Sequence, residues 1–163
     1  MSLILLFLLF QLSQPPKHLS IVATAGAASV SPGSKVSLYL DVTPKPGIHV
    51  YAPGAKGYLP IAVTINPQPG VTFGAMKYPK SETMEFEGER VPVYEKAFRL
   101  VEDVTVGSSL KAATALTLTG TVKYQACDDR KCYIPEDVPL EWRFKYEGLD
   151  RQRAPSEFQR KPN

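Results

Sequence analysis

Leu116-Thr117-Leu118-Thr119-Gly120-Thr121-Val122-Lys123-Tyr124 leads into Gln125-Ala126-Cys127-Asp128-Asp129-Arg130-Lys131-Cys132-Tyr133-Ile134-Pro135, and the chain then continues through Val138-Pro139-Leu140-Glu141-Trp142-Arg143-Phe144-Lys145-Tyr146. In the first segment Leu116, Leu118, Val122 and Tyr124 alternate with Thr117, Thr119, Thr121 and Lys123. In the last, Val138, Leu140, Trp142, Phe144 and Tyr146 alternate with Pro139, Glu141, Arg143 and Lys145. A period of two describes a strand with one face in a core and one in water. Between the two lie both cysteines of the protein, separated by four polar residues, which is an ordinary hairpin connection. Residues flanking such a loop face each other at Cα separations of about 4.5–5.5 Å, which suits a disulfide.

Outward from this hairpin the same grammar repeats. Strands are expected over residues 19–25, 35–43, 49–51, 61–66, 71–77, 93–101, 115–125 and 137–146, with no convincing helix. In the second of these Val36, Leu38, Leu40 and Val42 face one way and Ser37, Tyr39, Asp41 and Thr43 the other. Ser31-Pro32-Gly33-Ser34, Pro44-Lys45-Pro46-Gly47 and Asn66-Pro67-Gln68-Pro69-Gly70 are strong turn signals. About eight short strands with Gly/Pro turns describe an all-β, immunoglobulin-like antiparallel β-sandwich. Residues 149–163 are polar and aperiodic and read as a frayed tail.

A chain of 163 residues is the size of one domain and can bury a proper core. The net charge of +3 comes from 19 basic and 16 acidic residues that are interspersed, with no basic stripe, so nucleic acid is not an expected partner. Leu3 to Phe10 is an unbroken apolar run, too short to cross a bilayer and suited to the apolar region of a secretory signal. Residues 1–18 are therefore read as a signal peptide, residues 19–148 as the domain, and the compartment as periplasmic or otherwise exported. Contact with a membrane is expected only through the signal or a partner. In an oxidising compartment the cysteine pair would close to a disulfide.

A bridge across so short a loop stabilises by only about 2 kcal/mol, against about 4–5 kcal/mol for one joining distant strands. A pair on an exposed hairpin is, however, open to attacking thiolates, as exchange chemistry requires. Two readings follow: a redox pair that cycles, or a static staple in a non-enzymatic immunoglobulin-like binding module.

Tyr124-Gln125-Ala126-Cys127, the four-residue spacer, Cys132-Tyr133, Pro135 and Val138-Pro139-Leu140 together resemble the N-terminal periplasmic domain of the bacterial thiol–disulfide interchange protein DsbD. Pro46-Gly47-Ile48-His49-Val50-Tyr51 resembles the segment that feeds that family's active-site aromatic, and Glu85-Phe86-Glu87-Gly88 resembles its cap loop. The resemblance spans residues 19–146. It implies a thiol–disulfide oxidoreductase, without cofactor, that relays reducing equivalents. A membrane or thioredoxin-like reductase would be the donor, oxidised periplasmic proteins the acceptors, and the chain a monomer. Carried over, Cys132 forms mixed disulfides with partners and Cys127 resolves them. Phe86 caps the pair, Tyr51 and His49 line the pocket beneath, and Glu85 stands beside the sulfurs. The chain departs from one well-known member in having one residue fewer between the cysteines, and in His49, where an aromatic can stand.

The residue chemistry fits exchange through thiolates: Asp128, Asp129 and Glu85 oppose thiolate formation, and Arg130 and Lys131 favour it. The acidic neighbours of Phe86 place it in an exposed loop. A metal centre is not expected, because the cysteines lack two further soft or nitrogen ligands; His18 and His49 are the whole histidine inventory. No C-x-x-C is present, so a thioredoxin fold is excluded. Trp142 reads as core filling.

Overall fold

The computed structural model describes residues 16–86, 88–111 and 114–148; the apolar run and the polar tail read from the sequence lie outside these. Twelve strands follow in chain order: β1 (Leu19–Ala25), β2 (Ser29–Val30), β3 (Lys35–Pro44), β4 (His49–Tyr51), β5 (Ala62–Ile65) and β6 (Val71–Phe73), then β7 (Glu82–Phe86), β8 (Glu89–Tyr94), β9 (Phe98–Val106), β10 (Ala115–Tyr124), β11 (Ala126–Cys127) and β12 (Glu136–Tyr146). Among the described residues there is no helix, hence none able to cross a membrane.

Two four-stranded sheets, in the orders β1-β3-β9-β6 and β2-β12-β10-β5, face each other, and a third smaller sheet, β11-β4-β8-β7, carries the cysteine loop. Alternation does the sorting. From β3, Leu38, Leu40 and Val42 enter the core. They meet Leu116, Leu118 and Val122 of β10 and Leu140, Trp142 and Phe144 of β12 in one continuous cluster. Trp142 fills that core and its indole Nε1 donates to the Tyr39 carbonyl of the other sheet at 3.4 Å. Burying a side chain of this size stabilises by roughly 1.5–3 kcal/mol. Among the described residues the pairings between these strands are antiparallel except β2 with β12. This is the immunoglobulin-like sandwich expected from the strand grammar.

The central hairpin pairs in the register its pattern requires, Leu116 opposite Phe144 and Leu118 opposite Trp142. The turn before β4 is set by Pro46 and Gly47. Ile48 N donates to the Lys45 carbonyl at 3.0 Å and Gly47 has φ +75°, so this is a type II turn, in which proline pre-sets the second residue and glycine accepts the positive φ of the third.

Three expectations need correction. The single strand over 93–101 is two, β8 and β9, in different sheets. The exposed Glu95-Lys96-Ala97 corner turns the chain, and Tyr94 stacks on Phe98 across it at 4.0 Å. The polar stretch at 82–86 is also a strand, because β8 offers it a complete ladder. Finally, the short β2 and β11 lack an alternating signature and exist only through their partners β12 and β4.

Glu102 of β9 is 6% exposed and points inward with Leu100 and Val104. Burial raises its pKa above the ordinary carboxylate value. Because the folded-state pKa is the higher one, this group favours folding below the unfolded pKa, and that contribution is lost as pH rises through the folded value. Glu102→Gln should therefore raise stability at pH 7 by about 1 kcal/mol, measured by urea unfolding. The gain should vanish below about pH 4, where the carboxyl is neutral in both states.

Candidate functional site: the cysteine loop and its small sheet

Cys127 ends β11 and is joined to Cys132 by a disulfide, with S–S 2.01 Å and Cα–Cα 4.0 Å, closer than hairpin geometry alone suggested. The loop between them is clasped by Asp128. Its backbone N donates to the Lys131 carbonyl at 2.9 Å, and its Oδ1 accepts from the backbone N–H groups of Arg130 and Lys131 at 2.8 and 2.9 Å. Its Oδ2 accepts from the Tyr133 hydroxyl at 2.5 Å. The Tyr133 hydroxyl, followed by these two amides, pulls the Asp128 pKa down to about 2. Asp128 is thus a fixed anion that shapes the turn. On the outer side Tyr133 stacks on His18 at 3.9 Å and lies beneath Lys131 Nζ at 5.1 Å, and its N donates to the Ala126 carbonyl at 2.8 Å.

The two sulfurs have different surroundings. Cys127 is 1% exposed and belongs to a small second core with Tyr51, Val91 and Val93, backed by Ala55, Tyr58 and Met84. Cys132 is exposed. The pairing of β11 with β4 sets this up, placing Cys127 opposite His49 and Ala126 opposite Val50. His49 and Tyr51, two apart on β4, share the face toward the disulfide, while Val50 enters the main core. The Tyr51 hydroxyl lies 3.8 Å from Cys132 Sγ, its ring stacks on Tyr58 at 4.2 Å, and the His49 ring meets it edge-on at 5.6 Å. Burial, then the neighbouring Tyr58, raises the Tyr51 pKa, so the hydroxyl keeps its proton and can donate it in a hydrogen bond to a Cys132 thiolate.

The β7–β8 hairpin covers this cluster from one side. Glu82, Met84 and Phe86 share a face and lie opposite Val93, Val91 and Glu89. Met84, Val91 and Val93 pack around Cys127. Phe86, expected in a loop, is the last residue of β7. It projects from the same face beside the hairpin turn, where it lies opposite Glu89, and is 43% exposed. Glu85 alternates to the other face, opposite Arg90 and exposed, and so is turned away from the Met84 face. Tyr58, Met84, Val91 and Val93 were missed from the sequence. Tyr58 lies in an irregular segment with no periodic signal, and Met84 lies in a strand that polar residues disguise. His18, passed over as a neighbour of the signal, is also in contact with the loop.

Among the described residues no group of three or more His, Cys, Asp or Glu is placed to hold a metal ion. What the arrangement can do is exchange: one sulfur faces incoming thiols, the other is held in an apolar bed with a histidine and a tyrosine at hand.

An immunoglobulin-like sandwich bearing one solvent-facing hairpin disulfide defines the class, a thiol–disulfide interchange domain. The sequence profile described as thiol:disulfide interchange protein DsbD, N-terminal, matches residues 18–140, and the chain belongs to that family. Its fold is similar to the N-terminal periplasmic domain of ScsB from Proteus mirabilis, with TM-score 0.57 and 19% identity over 80% of this chain and 48% of that one. The chain thus spans about half the length of that structure. A further similar structure is the reduced N-terminal domain of DsbD from Neisseria meningitidis, with TM-score 0.44 and 18% identity, covering 77% of this chain and 85% of that one. No curated protein matches the chain by sequence.

Proposed function

We propose that this domain, comprising residues 19–148 of an exported, periplasmic protein, is a thiol–disulfide oxidoreductase that relays electrons through Cys127 and Cys132. The donor is a thioredoxin-like or membrane reductase, and the acceptors are oxidised periplasmic proteins. The observation that carries the reading is the unequal exposure of the two sulfurs. A donor thiolate can reach only Cys132. As it bonds there, the Cys127–Cys132 bond breaks and Cys127 leaves as a thiolate. A second donor thiol then displaces Cys132, and the donor departs as a disulfide. The domain now holds two electrons and two protons as a dithiol, and the same steps in reverse reduce an acceptor. A static staple would gain nothing from an exposed sulfur beside a tyrosine hydroxyl.

The test is the reduction potential of the pair, by thiol trapping after equilibration in graded dithiothreitol buffers. Exchange requires a value between about −180 and −280 mV, while a value well below about −300 mV marks a structural bridge and overturns the reading. The Phe86 ring, at the free end of the cover over the pair, is proposed as a cap that a docking partner displaces. Phe86→Ala should speed reduction by small thiols several-fold while leaving thermal stability within about 0.5 kcal/mol, since the ring is half exposed. Equal rates in the two proteins would remove Phe86 from the mechanism.

A further inference from the structure

We infer that His49 is the base that takes the proton of Cys127 when the reduced pair resolves a mixed disulfide; the inference rests on the relay reading above. Cys127 is 1% exposed, among Tyr51, Val91 and Val93, so water has little access to its thiol. Apolar burial disfavours a thiolate, yet only a thiolate attacks. The residue directly opposite Cys127 in the β11–β4 ladder is His49. Directly opposed side chains of an antiparallel pair share a face with Cβ atoms about 4.5–5.5 Å apart, a gap an imidazole nitrogen spans.

The surroundings of His49 suit a base that works near neutral pH. The residue is 6% exposed, and burial is the largest influence on its ring, favouring the neutral form that accepts a proton. Opposing this in turn are Glu95, from the corner between β8 and β9, and Asp129 and Asp128, from the cysteine loop. These carboxylates attract the imidazolium once it forms. Lys96, the one cation lining the same cleft among the described residues, is paired with Glu82 at 2.5 Å. From its own strand the ring meets Tyr51, which stays protonated. The cleft, of about 370 Å³, opens from His49 between Gly47, Glu95 and Asp129 and provides the route by which the proton reaches solvent. Among the described residues no side-chain hydrogen bond occupies the imidazole.

The sequence of bonds is then complete. The exposed Cys132 thiol gives its proton to solvent. The resulting thiolate attacks an acceptor disulfide, forming the Cys132–acceptor bond and releasing one acceptor sulfur as a thiolate, which takes up a proton from solvent. The Cys127 thiol passes its proton to His49, and its sulfur attacks Cys132 Sγ. The Cys127–Cys132 bond forms, the Cys132–acceptor bond breaks, and the second acceptor sulfur leaves as a thiolate. Two electrons have moved from the pair to the acceptor, and the His49 proton goes to that thiolate or to solvent through the cleft.

Reduced protein mixed with 5,5′-dithiobis(2-nitrobenzoate) in a stopped-flow instrument separates the steps. The first coloured thiolate reports attack by Cys132 and the second reports resolution by Cys127. In the wild type the second phase should be nearly level at neutral pH and fall as His49 protonates in acid. In His49→Gln it should be slowed about tenfold or more relative to that protein's own first phase at pH 7, and climb with pH along the thiol's own ionisation. His49→Phe keeps a packed ring without a base and should behave as His49→Gln; it also decides the matter should the glutamine variant fail to fold. A second phase with wild-type rate and pH profile in either folded variant overturns the assignment. A wild type that releases no second equivalent defeats the relay reading itself, which separates the two failures.

Discussion

Cys127→Ala is expected to yield a protein that reacts once at Cys132 and remains joined to its partner as a mixed disulfide stable to gel electrophoresis without reductant. Cys132→Ala is expected to form almost no such adduct. The physical cause is access: exchange needs a sulfur that a second sulfur can approach in line, and only Cys132 stands in solvent while Cys127 is enclosed. The Tyr51 hydroxyl at 3.8 Å adds a donor that favours the thiolate of Cys132 over its thiol. Together these should make the single thiol of Cys127→Ala at least about 100-fold more reactive toward iodoacetamide at pH 7 than that of Cys132→Ala. Alkylation rates by mass spectrometry check this. Equal rates would mean that the loop opens freely once the bond is broken, and that burial of Cys127 does not direct the order of attack.

Gly120→Ala should destabilise the domain by about 2–3 kcal/mol and lower its melting temperature by roughly 10 °C. Gly120 lies in the middle of β10, between Leu140 of β12 and Ile65 of β5. A Cβ there would stand 2.6 Å from the Thr64 carbonyl oxygen and 3.2 Å from the Ile65 Cα. Both are backbone atoms, with no rotamer that could yield, so the alanine must push β5 away from β10. That would also strain the clamp in which Asn66 N donates to the Thr119 carbonyl and Asn66 Nδ2 to the Thr119 hydroxyl, both at 2.8 Å. Because β10 runs directly into the cysteine loop, the damage should spread to the site as faster reduction of the disulfide. Differential scanning calorimetry measures the first effect. A change under about 0.5 kcal/mol would show that β5 is not held as described.

The sandwich was legible because its long strands carry a period of two that only a half-buried strand satisfies; β3, β10 and β12 each bury the residues their alternation selects. The disulfide was legible because both cysteines flank one short loop. The strand break at Glu95-Lys96-Ala97 was not, since Val91-Pro92-Val93-Tyr94 and Phe98-Arg99-Leu100-Val101 both look like pieces of one strand until each joins its own sheet. The β7 strand was hidden for a related reason: Glu82 and Glu85 have little strand signature, and β8 alone recruits the segment. Phe86, read as a loop residue because of its acidic neighbours, is the last residue of β7.

By itself, then, the sequence determined the fold class and which sulfurs can bond, because hydrophobic period and loop length are local properties written along the chain. Tertiary structure alone decided which sulfur is shut in and which is open, that His49 lies across from Cys127, and that Tyr51 reaches Cys132 from the same strand face. These follow from the docking of β11 on β4 and of the β7–β8 hairpin beside them. They are contacts between residues up to some eighty positions apart, which no periodicity along one segment encodes.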